Sequence, residues 1–448
     1  MKKTPFTPTL LAVAVLASSN AMAGYAFESG DLSGEVKLSA SAANISAKNI
    51  AFGAGGSDER NPSDRSKHAH WQELAVKPSV TLNYKLNADL DILAGGSVVG
   101  STTLGDGDAG SLKFTRSSDG RVGIEEAYAG FRAGQWRFTA GRQDFMIGQG
   151  FIVMDGNLDK HNDGAFWLGP RSAFRDSAVL GWQGEALSAQ GFTLRTDDHL
   201  GDYRMSGVNA DYQVGELATL GAMAMKLSEE DDELNDATSR SDREGMQVYN
   251  LRALNVALPG ISNLTLNGEY AVQRGSGDGT KFDANAWYMG GEYRFTQLPL
   301  EPVLGYRYAF FSGDDDLTDN TKKTWDQLSR GYIGWGTWIV GDVTGNYLLL
   351  NQNQKVHTWS LKADVVPGVT LGTMYHRFSL DEENVFGQPV SSKRFADEHA
   401  IFVDWNPSRN LTTSLSYNWV NAKSAGKEFN SGNDDKFSAL QMFVQYRY

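Results

Sequence analysis

Residues 411–422 read LTTSLSYNWVNA. Leu411, Thr413, Leu415, Tyr417 and Trp419 fall on one parity, and Thr412, Ser414, Ser416 and Asn418 on the other. Side chains of an extended chain point alternately to its two faces, so this stretch is a strand with one greasy and one wet side. Residues 354–366 repeat the pattern, setting His357, Trp359, Leu361, Ala363 and Val365 against Thr358, Ser360, Lys362 and Asp364. Helical periodicity is nearly absent elsewhere. Alternating stretches closed by Gly, Asn, Asp or Pro recur instead.

Reading outward from these two segments, the pattern predicts eighteen strands: 31–42, 71–86, 89–101, 121–132, 135–145, 174–184, 187–197, 204–214, 217–227, 244–257, 261–274, 283–296, 300–311, 354–366, 369–380, 397–406, 411–422 and 436–448. Their connections fall into two sets. Even-to-odd links are short, such as Asn87-Ala88, Ala133-Gly134, Glu185-Ala186, Gly215-Glu216 and Pro367-Gly368. Odd-to-even links are mostly long: 43–70, 102–120, 146–173, 228–243, 312–353, 381–396 and 423–435, with 198–203 and 275–282 the short exceptions. Short turns on one rim and long loops on the other describe an all-β fold, a transmembrane antiparallel β-barrel with short periplasmic turns and long extracellular loops. Inside lipid no water satisfies backbone N–H and C=O groups, so the sheet must close on itself. Eighteen strands leave an interior too wide for side chains to fill, hence a water-filled channel.

Composition agrees. The chain has 448 residues, no cysteine, 49 glycines and a formal charge of −13, with a mean hydropathy of −0.39. After residue 23 there is no apolar run long enough for a membrane helix. The acidic balance argues against nucleic acid as a partner. Without Cys there is no disulfide, thiolate zinc site or cysteine nucleophile. Residues 1–23 have the layout of an export signal: Lys2 and Lys3, an apolar run from Leu10 to Ala17, then Ala21-Met22-Ala23 as an A-x-A cleavage site. Cleavage would leave one barrel domain, 24–448, and take the charge from −13 to −15. The last strand alternates Leu440, Met442, Val444, Tyr446 and Tyr448 with Gln441, Phe443, Gln445 and Arg447, and resembles the assembly signal of outer-membrane proteins.

The apolar parity fixes the outward face, so the other parity lines the lumen. It assigns Glu126, Tyr128, Arg132, Glu269, Tyr288, Glu292, Arg294 and Arg307 to the inside, with Lys77 and, by the same rule, Arg175, Arg195, Arg252, Lys362 and Arg447. Arg142 shares its parity with Trp136, Phe138 and Ala140; a bulge at Gly141 would turn it inward, sparing the roughly 2–4 kcal/mol of a charge in mid-membrane. Arg377 stays open on the same ground. The mixed signs are either an ion-pair lattice stiffening the wall or a field that selects solutes.

Other features have bland readings beside sharper ones. The acidic runs 229–233 and 314–316 could bind Ca²⁺, but solvated acidic loops are commoner. His68 and His70 could share a metal, yet no third ligand is near. Gly105-Asp106-Gly107-Asp108 and Gly275–Gly279 lack EF-hand spacing and a Walker lysine. The loop 312–353, with Trp325, Trp335 and Trp338, either constricts the lumen or covers the mouth, its indoles being sugar platforms or wall packing. No G-x-S-x-G elbow or comparable motif points to an enzyme.

Residues 125–151, from EEAYAGFR through Gly141-Arg142-Gln143 to Gly150-Phe151, and residues 304–316, LGYRYAFFSGDDD, resemble the alginate export family of outer-membrane porins. The resemblance runs over most of the chain beyond residue 23. It implies a monomeric eighteen-stranded barrel whose Arg-rich constriction passes a polyuronate, with Arg142 and Arg307 inside the matched stretches. Glu126, Glu269 and Glu292 depart from such a lumen. The expectation is a passive channel in the bacterial outer membrane for anionic or sugar-like solutes, alginate among them. A general or sugar-uptake porin is the alternative. Its surroundings would be outer-membrane lipid, lipopolysaccharide and the barrel-assembly machinery, and it would need no cofactor.

Overall fold

The computed structural model describes residues 24–58, 61–107, 115–157, 161–229, 243–328 and 341–448. The proposed export signal, most of the acidic run 229–233, and Trp335 and Trp338 lie outside the described residues. The architecture is one closed antiparallel barrel of eighteen strands. These are β1 (Leu32–Lys48), β2 (His68–Lys85), β3 (Leu90–Gly105), β4 (Gly120–Ala133), β5 (Trp136–Gln143), β6 (Phe174–Gln183), β7 (Leu187–Arg195), β8 (Tyr203–Val214), β9 (Ala218–Glu229), β10 (Met246–Leu258), β11 (Ile261–Gly277), β12 (Ala284–Arg294), β13 (Val303–Phe311), β14 (Gln354–Val366), β15 (Val369–Leu380), β16 (Arg394–Ser408), β17 (Leu411–Ala422) and β18 (Phe437–Arg447).

Each strand pairs with its sequence neighbours. The seam is β1 against β18, in register from Ser39 opposite Arg447 to Lys48 opposite Ser438. Leu38 and Tyr448 exchange backbone hydrogen bonds of 2.6 and 2.8 Å at its foot, so the first and last strands leave no edge. A short segment, Tyr25–Ser29, folds back on Leu32–Val36 beside the seam. All eighteen expected strands are present. Those at 354–366, 369–380 and 411–422 have the expected bounds, while β1, β2 and β3 run several residues further toward the long-loop rim. They run on because each finds a partner there; β1 pairs with β2 as far as Lys48 opposite His68.

Lipid-type packing explains the outer face. Val122, Ile124, Val208, Leu251, Met289 and Ile401 are exposed, as a barrel wall in hydrocarbon requires. The inner face is wet near the short-turn rim and greasy near the long-loop rim. In the greasy half, Ile147, Phe151, Ile152, Val153, Phe166 and Leu168 of the β5–β6 loop join Trp71, Phe192, Leu194, Met225, Val248, Tyr288 and Phe311 from the wall in one core. The loop therefore folds into the barrel.

That half corrects the parity rule at Arg195. Phe192 and Leu194 are buried under the loop, with Phe145 5.4 Å from Phe192. They take the inner face, so Arg195 lies on the outer parity rather than in the lumen. Arg377 also faces out, between buried His376 and Phe378. Two irregularities interrupt the ladders. In β4 the register slips so that Ser97 opposes Glu126 while Val98 opposes Ile124; the extra residue, Glu125, is fully buried. Between β5 and β6 the register also slips: Gly141 opposes Ser177 while Gln143 opposes Phe174, so the extra residue lies in β6, although Gly141 takes a φ of +130°. Toward β4 the ladder runs unbroken to Arg142 opposite exposed Ala127, so the β5 bulge expected to turn Arg142 inward is not the one observed.

Candidate solute pathway

The wall holds its in-folded loops by carboxylates aimed at pairs of consecutive backbone N–H groups. Glu73 of β2 accepts from Trp167 (3.2 Å), Leu168 (2.8 Å) and the Trp71 indole (3.0 Å). Glu125 of β4 accepts from Ser172 (2.7 Å) and Ala173 (2.8 Å). Glu398 of β16 accepts from Val343 (3.3 Å), Thr344 (2.8 Å) and the Asn418 amide (3.2 Å). All three carboxylates are fully buried. A carboxylate bonded by several N–H groups is among the stronger neutral–ionic contacts available, and here it replaces lost water.

The loop 312–353 is tied in the same way. Asp326 receives both sides of the Arg243 guanidinium at 2.8 Å, and its backbone exchanges hydrogen bonds of 2.7 and 3.0 Å with the Gln273 amide. Burial alone would raise the Asp326 carboxyl; the Arg243 charge and its hydrogen bonds outweigh this and hold it at about 2. Trp325 is buried and stacks 6.5 Å from Phe151, which also lies 5.1 Å from Tyr288 and 6.1 Å from Phe311. The described part of this loop thus enters the barrel, and Trp325 packs rather than presenting a platform.

Below this plug, toward the short-turn rim, lies a cavity of about 460 Å³. Its charged lining is Glu292, Arg294, Arg307 and Lys362, with Gln149 of the β5–β6 loop and Tyr288 at its roof. A smaller cavity of about 200 Å³ shares Glu292, Arg294 and Lys362 and adds Glu301, Asp364 and Asp404. The Lys362 ammonium bonds Glu292 at 2.9 and 3.1 Å. Arg307 is buried on β13.

A polar relay continues round the wall. Tyr288 donates to Glu269 (3.0 Å), and Asn250 donates to the same carboxylate (3.2 Å). Arg252 donates to Asn250 (3.0 Å), and its guanidinium lies 2.6 Å from Asp211. Parity reading did not single out Asp211, although its alternation with Tyr212 exposes the signal.

A family model described as "Alginate export" matches residues 68–388, well over half of the chain. The chain belongs to the alginate export family.

No curated protein matches the chain. Solved porins do, at the level of fold. Pseudomonas aeruginosa OpdL is 11% identical, with a TM-score of 0.59 over 93% of this chain and 98% of that one. Acinetobacter baumannii OccAB2 is 11% identical, TM-score 0.59, over the same shares. Pseudomonas aeruginosa OpdK with vanillate is 13% identical, TM-score 0.58, over 92% and 98%. This family member is an outer-membrane channel, surrounded by lipid and open to small solutes. Its long-loop rim is accordingly extracellular.

Within the family frame, the other expected residues fall in distinct places. Arg142 reaches Asp197 at 3.2 Å and the Glu125 carboxylate at 3.9 Å, and donates to the Glu125 carbonyl at 2.9 Å. It sits at the extracellular end of β5, away from the cavity lining. Arg195 bonds Asp202 through two nitrogens at 2.7 and 2.8 Å, and Arg175 reaches the same carboxylate. Burial works to raise the Asp202 carboxyl, but hydrogen bonds from Arg195 and Arg175 hold it below its usual range. Glu126 accepts from Ser97 (2.9 Å) and lies 3.7 Å from Lys77. Arg132 stands 3.9 Å from Asp91 near the short-turn rim, and Arg447 alternates with exposed Tyr446 and Tyr448.

Parity also misses Glu125. Strict alternation put it outward, and the bulge brings it in beside Glu126. Adjacent carboxylates in an amphipathic strand were the available signal. Asp314 to Asp316 turn inward on their own loop: Asp314 accepts from the N–H groups of Asp316 (3.1 Å) and Lys323 (3.0 Å), and Asp316 from that of Thr318 (3.0 Å). His70 contacts Asn44 at 2.8 Å. Among the described residues no group of three or more His, Cys, Asp or Glu is placed to hold a metal.

Proposed function

We propose that the protein is a passive channel for anionic or sugar-like solutes, with a polyuronate such as alginate as the favoured cargo. One observation carries this reading: the cavity beneath the plug sets three cations, Arg294, Arg307 and Lys362, against one carboxylate, Glu292. Fixed charge of one sign in a confined, partly dehydrated passage favours the counter-ion. The family description supports an acidic sugar, and OpdK, alike in fold, is described with vanillate, a carboxylate. The carboxylates Glu301, Asp364 and Asp404 of the smaller cavity favour the second reading, a general or sugar-uptake porin of weak charge preference.

The reading has no catalytic step. Glu73, Glu125 and Glu398 are spent on backbone N–H groups and Glu292 on Lys362. It also takes residues 1–23 as a cleaved export signal, the mature chain as a monomer inserted by the barrel-assembly machinery, and Arg307 and Lys362 as the principal pore cations. Reconstitution in planar bilayers tests it. Anion preference, current block by uronate oligomers and loss of both in Arg307→Ala are the expected results. Equal cation and anion permeability, unchanged in Arg307→Ala, would overturn it.

A further inference from the structure

Arg377, Arg394 and Lys423 converge on one carboxylate on the outside of the barrel. Asp397 lies 4.0 Å from Arg377, 2.9 Å from Arg394 and 3.0 Å from Lys423. The outward orientation follows from parity. Asp397 sits between buried Ala396 and Glu398 on the face that carries His399, Ile401 and Trp405. Arg377 shares its face with Tyr375 and Leu371. Lys423 continues the outer parity of Tyr417 and Trp419, its backbone still paired with Phe395. The three cations are each more than a third exposed, while Asp397 is largely covered by them. One carboxylate cannot neutralise three cations, so the patch keeps an excess of positive charge facing the membrane.

The patch has a definite height. Immediately below it runs a ring ladder across four strands: Trp359 stacks on Tyr375 (5.4 Å), Tyr375 meets His399 (4.7 Å) and His399 stacks on Trp419 (5.1 Å). Amphipathic rings of this kind mark the level where acyl chains give way to headgroups. Below them come exposed Leu361, Leu371, Ile401 and Leu415. Beside the patch, Lys355 lies 2.8 Å from Asp381 and 5.6 Å over the Phe310 ring. The cations therefore stand at headgroup height on the long-loop rim. Guanidinium forks and an ammonium at that height suit a phosphoryl group, and basic clusters at a membrane surface select anionic headgroups.

We propose that Arg377, Arg394 and Lys423 form a binding site for a phosphoryl group on a glycolipid of the outer leaflet, lipopolysaccharide, whose acyl chains lie along the aromatic ladder. The site rests on the assignment of the long-loop rim to the cell exterior. It binds a bisphosphorylated lipid A better than a phospholipid, because three cations around one shared carboxylate offer more charge than a single phosphodiester uses. Asp397 is the internal counter-ion that holds the cations in place and competes with the ligand.

Native mass spectrometry of the purified barrel in detergent tests this, with bisphosphoryl lipid A, monophosphoryl lipid A and phosphatidylglycerol as separate probes. Wild type should retain the bisphosphoryl form about tenfold more tightly than the other two, and Arg377→Ala/Arg394→Ala/Lys423→Ala should lose that margin. Asp397→Asn should tighten binding, which a merely structural role would not do. Heat-modifiable migration checks folding; if the triple variant fails it, Arg377→Gln and Lys423→Gln alone should each weaken the bisphosphoryl complex. Equal retention of all three lipids by wild type, or an unchanged margin in the folded variants, overturns the site. Orientation is checked separately in Asp434→Cys, since the chain has no native cysteine. Failure of a membrane-impermeant maleimide to label it on intact cells would overturn the rim assignment instead.

Discussion

Lys362 of β14 bonds Glu292 of β12 across the whole width of β13, over Gly305. Gly305 is register partner to both Glu292 and Ser360. A Cβ there would come within 2.3 Å of the Ser360 hydroxyl and 3.5 Å of Glu292. The pair Asp211–Arg252 repeats the device over Gly221 of β9, where a Cβ would meet the Arg252 guanidinium at 2.3 Å. A glycine on the middle strand lets an ion pair lie flat against the wall and keeps the lumen open. Neutralising Lys362 should therefore change selectivity more than size. In Lys362→Gln, Glu292 is left unpaired in the cavity, and the anion-to-cation permeability ratio should fall about twofold or more. Reversal potentials in a KCl gradient measure it; an unchanged ratio would remove Lys362 from the pathway.

Gly305→Val makes the complementary change. It keeps both charges but forces the pair off the wall into the passage. Single-channel conductance should drop while the permeability ratio moves little. A Gly305→Val channel of wild-type conductance would show that the cavity beneath the plug is not the narrow part of the path.

The carboxylate tethers predict gating behaviour. Glu73→Ala leaves the N–H groups of Trp167 and Leu168 buried without their acceptor, a cost of about 1–3 kcal/mol each. The β5–β6 loop should then leave the lumen part of the time. Larger, noisier conductance steps and faster hydrogen exchange over residues 161–173 are expected. Protection equal to wild type across that segment would mean the apolar contacts of Phe166 and Leu168 hold the loop without the hook.

How far these features could be read in advance depends on one assumption, that the greasy parity faces lipid. It holds wherever the lumen is wet, as at Glu292, Arg307 and Lys362 on strands whose outer faces carry Met289, Tyr306 and Leu361. It fails where a loop supplies a second apolar partner inside, as at Phe192 and Leu194, and Arg195 was misplaced for that reason. Alternation also breaks at a bulge, which hid Glu125. The slip beside Arg142 was expected in β5, at the glycine before the charge, but the extra residue lies in β6 between Phe174 and Ser177, and Arg142 keeps its place opposite Ala127. The tethers were not, since which N–H groups a buried carboxylate meets depends on contacts nearly a hundred residues apart, such as Glu73 with Leu168.

The Arg243–Asp326 pair sets a pH limit on the plug. The Asp326 carboxyl would ordinarily titrate near 3.8 and is held at about 2. The docked loop thus binds fewer protons than the released one. Its stabilisation is complete above 3.8 and is lost as pH falls through about 2, roughly 2 kcal/mol in all. The conductance change that comes from releasing this loop should fall between about pH 4 and 2. Asp326→Asn should show the released behaviour already at pH 7. A wild-type response centred near neutrality would assign the plug to another group.

Gly141 tests whether the irregular backbone at the β5–β6 slip is required for assembly. Its φ of +130° is one that L side chains rarely adopt, and a Cβ there would stand 2.3 Å from the Ala127 carbonyl oxygen. That atom belongs to the β4 backbone and cannot swing aside as a side chain would. Gly141→Ala must therefore change the local backbone or push the two strands apart, at a cost of about 1–3 kcal/mol. Either change shifts the next residue, Arg142, away from Asp197 and Glu125. Its charge would then lose both carboxylates. Gly141→Ala should lower the temperature of heat-modifiable migration, and Gly141→Ala/Arg142→Ala should recover part of the loss by removing that charge. If the double variant is no better than the single one, the penalty lies in the backbone clash alone, and Gly141 has no part in holding Arg142 against its carboxylates.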